Sequence, residues 1–122
     1  MKGEAKFKTE VTRYLKKIYG DRLWHVSLPG GMGQRAGVPD KLYIIDGRAI
    51  AVEFKNPNGK GRLGPKQKQE LEAVKQAGGI ALVARCWDDL LPILETFPPT
   101  QRMTTKGNAK TLKNATKALA KQ

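Results

Sequence analysis

Two carboxylates and an ammonium, Asp40, Glu53 and Lys55, lie within GVPDKLYIIDGRAIAVEFKN, residues 37–56. Glu53 and Lys55 stand one residue apart in the otherwise apolar run AIAVEFK, so in an extended chain both side chains point to the same face. Between the two apolar runs, Asp46-Gly47 readily supplies the positive backbone angles of a tight hairpin turn. Counting outward from that turn brings Asp40 level with Glu53, within cross-strand reach. Two acids at close range repel unless a cation lies between them, and a hard divalent ion such as Mg²⁺ takes oxygen ligands while keeping several waters. Water coordinated to such an ion has a lowered pKa and can attack phosphorus, and Lys55 can neutralise charge building on the phosphate oxygens. Ala49 and Ala51, on the same face, leave room for a sugar-phosphate backbone. The bland alternative is an edge strand carrying a solvated Glu53–Lys55 pair, which would also discourage aggregation.

These residues need a frame. Residues 4–19 place Phe7, Val11, Tyr14, Leu15 and Ile18 at helical spacing with Lys and Arg opposite, an amphipathic helix whose apolar stripe is bordered by Glu10. LWHVSLP alternates as a strand and gives way to the Gly-rich PGGMGQRAG, which lacks the spacing of a phosphate-binding P-loop and instead suits a loop admitting DNA. KLYII and AIAVEFK form the hairpin. Pro65 suits the first turn of a helix running to Ala77 and stopped by Gly78-Gly79. Gln67, Leu71, Val74 and Gly78 share one face of it, so Gln67 faces the sheet and Gln69 does not; the alternative is that Gln67 merely caps the helix. IALVA, continuously apolar, reads as a central strand covered on both faces, followed by a short helix from Asp88 to about Phe97. The order α-β-β-β-α-β with a terminal helix describes an α/β domain, a mixed sheet with helices packed on it. Residues 1–99 form that domain, and residues 100–122 a basic tail or helix, with Lys106, Lys110, Lys113, Lys117 and Lys121 recurring every three or four positions and no acid among them.

GVPD, then EFK, then PKQ at the start of the next helix resembles the VRR-NUC branch of the PD-(D/E)XK nuclease superfamily, in its stand-alone, phage-type form. The resemblance covers residues 37–84 most closely and implies the restriction-endonuclease-like αβββαβ core. It implies Asp40 and Glu53 as metal ligands together with the Phe54 backbone carbonyl, Lys55 as the catalytic lysine, Gln67 as the helix glutamine near the site, and Glu10 as the first-helix acid. It further implies hydrolysis of phosphodiester bonds with Mg²⁺ or Mn²⁺, and, for a chain with little beyond this domain, a homodimer acting on branched DNA such as Holliday junctions. A two-fold pair is the simple way for a one-site chain to make two symmetric nicks. Exposed parts of the first helix or of CWDDLLPILETF are the expected dimer surface.

Composition agrees with an anionic partner. The chain has 122 residues, with 23 Lys and Arg against 11 Asp and Glu, a formal net charge of +12, far more than solubility requires. Arg35, Lys41, Lys60, Arg62, Lys66 and Lys68 surround the acids in sequence and are expected to hold phosphates without reading bases. No stretch approaches a membrane span and the N-terminus carries no apolar signal core, so the expectation is a cytoplasmic protein with no membrane association. The single Cys86 forms no internal disulfide and has no Cys or His at metal-ligand spacing; it reads as inert packing. His25, alternating with Trp24 and Val26, reads as a packed or surface residue rather than a general base. The competing function is a non-catalytic basic DNA-binding protein on a nuclease-like fold, which explains the charge and leaves the Asp40, Glu53 and Lys55 grouping unexplained.

Overall fold

The structure, a computed structural model, describes residues 3–29, 35–56 and 61–99. The GGMG loop, Lys60 and the basic tail lie outside the described residues. Helix α1 (Gly3–Tyr19) buries Phe7, Val11, Leu15, Ile18 and Tyr19 and ends at Gly20, whose φ of +56° lets the chain turn into a 3-10 segment, Gly20–Arg22. Strands β1 (Leu23–Ser27), β2 (Lys41–Ile45) and β3 (Arg48–Phe54) follow, then helix α2 (Pro65–Gln76), strand β4 (Ile80–Ala84), a 3-10 turn at Trp87–Leu90 and helix α3 (Leu91–Thr96). The sheet order is β1-β2-β3-β4, with the first two pairings antiparallel and β3–β4 parallel, as expected where a helix connects two strands. This is the mixed α/β layering that the periodicity implies.

Asp46 (φ +52°) and Gly47 (φ +83°) form the β2–β3 turn with both central angles positive, which fixes the register at Ile45↔Arg48. Ile50, Val52 and Phe54 then face α1, where the Phe54 ring meets Phe7 edge-on at 5.8 Å. Leu90, Ile93 and Phe97 complete that layer, and the buried Tyr19 hydroxyl donates to the Phe97 carbonyl at 2.7 Å. Helix α2 packs on the opposite layer, against β4.

β4 corrects one expectation: it lies at the end of the described sheet, and the inner, fully covered strand is β3. A continuous apolar run reports that both faces are covered, which holds for β4 between α2 and the α1–α3 layer; it does not report whether both edges are paired. Within CWDDLLPILETF, Leu90, Ile93 and Phe97 are buried in the chain's own core, and Pro92, Glu95 and Thr96 are exposed. The large apolar side chain left exposed among the described residues is Trp24, at 55%. Its face of β1–β2, with Val26, Leu42 and Ile44, is only partly buried.

Candidate active site

Antiparallel pairing of Lys41 with Val52 sets Asp40 beside Glu53, as the turn position requires. Their contacts are mutual. The Asp40 N–H donates to Glu53 Oε1 at 3.2 Å, and the Phe54 N–H donates to Asp40 Oδ2 at 2.9 Å. From α2, Gln67 Nε2 donates to Glu53 Oε2 at 2.6 Å, while its Oε1 accepts from Lys55 Nζ at 3.2 Å and from the Gly64 N–H at 2.9 Å. The amide orientation is forced, because the reverse would face an NH₂ group toward two donors. Gln67 therefore does both things considered for it: it caps α2 and it joins Glu53 to the lysine. Lys55 Nζ also lies 3.5 Å from Glu53 Oε2.

Glu53 is only 4% exposed and sits on an inner strand, which rules out a solvated pair on an edge. Burial, and secondarily the nearby Asp40 charge, raise its carboxyl above the usual value, against the opposing pull of Lys55. A buried acid held beside a second acid is a site short of positive charge. Asp40 Oδ1 accepts no hydrogen bond from the described residues. No group of three or more His, Cys, Asp or Glu side chains gathers among the described residues, so a cation here would take two carboxylates and fill its remaining positions from peptide oxygen and water. That donor set is oxygen-only and incomplete, which suits Mg²⁺ or Mn²⁺ and does not suit a closed structural metal.

The sequence-selected residues do not all converge. Asp40, Glu53, Lys55, Gln67 and the Phe54 peptide are brought together. Glu10 lies on α1, on the layer facing the Phe54 ring, and lines a cleft of about 180 Å³ with Lys6, Arg85 and Trp87. Lys41 is the clear correction: it is 5% exposed and turned to the α1 layer, its Nζ 3.2 Å from Ser27 Oγ and 5.6 Å from the Tyr43 ring centroid. Alternation along β2 sends Asp40 and Lys41 to opposite faces, so proximity in sequence misplaces the lysine. Arg35 is mostly exposed and pairs with Glu70 of α2 at 2.8 Å. Arg62, Lys66 and Lys68 are exposed.

Gly37 was missed as a structural residue. It has φ of +85°, and a Cβ there would come within 2.5 Å of the Lys66 backbone, so the glycine lets the segment before Asp40 press against the first turn of α2. The only sequence signal was its place in GVPD.

A solved structure described as a VRR_NUC domain protein has the same fold: 23% identity, a TM-score of 0.60, and coverage of 79% of this chain and 88% of that one. No family model matches the sequence. No curated protein matches it either. The chain thus shares the α/β fold of that structure, a mixed four-stranded sheet with flanking helices.

Proposed function

We propose that this chain is a metal-dependent DNA endonuclease that hydrolyses phosphodiester bonds, with Asp40, Glu53 and the Phe54 carbonyl holding Mg²⁺ or Mn²⁺. The observation that carries it is the convergence of two carboxylates, one of them buried, with Lys55 through a single glutamine. The likeness to a VRR_NUC domain protein supports the same reading. When bound, the ion supplies Lewis-acid stabilisation of phosphoryl oxygens and lowers the pKa of water. The protein's own groups do the rest. Lys55, held by Gln67, presents a fixed ammonium to charge developing on the scissile phosphate. Gln67 and the Phe54 N–H each fix one carboxylate oxygen, so Glu53 and Asp40 are oriented before substrate arrives. Exposed Arg62, Lys66 and Lys68 hold the strand through its phosphates.

The net charge of +12 favours a long polyanion. Branched DNA such as a Holliday junction, cut by a two-fold homodimer, is the substrate that best suits one site per chain. The test is a labelled four-way junction incubated with Mg²⁺ or Mn²⁺. The unaltered protein is expected to cut it, and Glu53→Gln and Lys55→Ala to bind it with similar affinity while cutting about 10² to 10³ times more slowly. Tight binding without cutting in either metal would leave only the non-catalytic DNA-binding function.

A further inference from the structure

On the face of the sheet away from the carboxylates, α1 and strands β1–β2 enclose an open cleft of about 350 Å³, at the lower end of the roughly 300 to 1,000 Å³ usual for ligand sites. Its wall carries Lys8, Thr12, Arg13, Lys16, His25 and Lys41, and no acid among the described residues. Lysine is almost never this deeply buried unless paired. Lys41 nevertheless sits at 5% exposure with a serine hydroxyl and an aromatic ring as its neighbours. His25 Nδ1 is also buried, with no hydrogen-bond partner among the described residues. Its ring leans toward Tyr43, whose hydroxyl shares a 2.7 Å hydrogen bond with Thr12.

We propose that this cleft is a phosphate-binding site, built to take a phosphate group between Lys41 at its floor and Lys8, Arg13 and Lys16 at its rim. It is separate from the carboxylate cluster and does not depend on the chain being a nuclease. A solvated basic face would keep its cations in water, whereas here one is withdrawn from it with no counter-charge among the described residues, a costly arrangement that a bound oxyanion relieves. The titration direction of the histidine agrees: burial first, then Lys41 and Lys16, lower the His25 pKa. The groups facing His25 and Lys41 are Lys8, Arg13 and Lys16 from α1 and Tyr43 from β2, so an anion seated among them draws a proton onto His25. The phosphate can belong to a nucleic-acid backbone or be free in solution, and the cleft's open mouth admits both.

His25 is the chain's one histidine, so its imidazole proton signals report the site directly. The full chain, without divalent metal, is titrated with inorganic phosphate and, separately, with a blunt DNA duplex lacking terminal phosphates, against chloride at equal ionic strength. Saturable movement of the His25 signals, with a raised His25 pKa, is expected. Arg13→Ala with Lys16→Ala should weaken binding at least about tenfold. Lys41→Met should abolish the response while leaving thermal stability equal or higher, since it removes an unpaired buried charge. A response to duplex at phosphate-group concentrations where inorganic phosphate gives none assigns the site to a strand; a response to inorganic phosphate alone assigns it to a small phosphate. If neither moves His25, or chloride moves it equally, the proposal is overturned. Glu53→Gln leaves the response intact, so loss of nuclease activity and loss of this site are independent results.

Discussion

Glu53 concentrates the chemistry of the molecule in one titration. Its carboxyl is held above the ordinary value of 4.5 mainly by burial, then by Asp40. The folded chain therefore binds this proton more tightly than the unfolded chain. The associated stability is fully present below the unfolded value and is lost as pH rises through the folded one. Above that window the ionised acid is a destabilising feature that the proposed divalent cation would offset. Without metal, the melting temperature of the unaltered protein relative to Glu53→Gln should fall as pH is raised from about 4.5 toward neutrality. Saturating Mn²⁺ should restore it in the unaltered protein and leave Glu53→Gln unmoved, by scanning calorimetry. Gln67→Ala removes the hydrogen bond to Glu53 Oε2 and the acceptor for Lys55. A loss of roughly 10- to 100-fold in Mn²⁺ affinity, read by titration calorimetry, is expected from the removal of such an orienting partner.

At the level of elements, two glycines with positive φ have different consequences. Gly47 completes the hairpin turn, and a Cβ there meets nothing within 4 Å, so Gly47→Ala should cost about 1 to 2 kcal/mol of stability from the left-handed backbone alone and leave catalysis intact. Gly37→Ala adds a collision with the Lys66 backbone to the same strain. Relief requires the first turn of α2 to move, and Gln67 moves with it. Denaturant melts and single-turnover cleavage should therefore separate the two variants: stability loss in both, rate loss in Gly37→Ala alone. The hairpin, the α2 face and the meeting of Asp40 with Glu53 were legible in the sequence because each follows from a period and one turn. What was not legible depends on neighbours distant in the chain. The edge position of β4, the packing of Gly37 on α2 and the burial of Lys41 each need to be known from what lies across the sheet. For Lys41 a partial signal existed, since it shares a face with Tyr43 and Ile45 rather than with Asp40.

For the whole molecule, charge and symmetry are the testable quantities. Six basic residues and no acid lie in residues 100–122, a large share of the net charge. Replacing Lys106, Lys110, Lys113, Lys117 and Lys121 by glutamine should weaken DNA binding across all sequences alike and make the log-affinity against log-salt slope shallower by as much as about 0.9 for each lysine that contacts a phosphate of duplex DNA. The proposed homodimer has a candidate contact in the exposed Trp24. Trp24→Lys should shift sedimentation from dimer to monomer and leave the fold intact, since the side chain lies outside the core. Asp40 and Lys41, adjacent in the chain, deliver opposite charges to opposite sides of a layer one strand thick. Sliding the β2–β3 pairing by one position would exchange them, driving the acid among the lysines of α1 and the ammonium between Glu53 and Gln67. Asp46 and Gly47, at the opposite end of the hairpin, thus decide on which side of the sheet the Asp40 carboxylate stands.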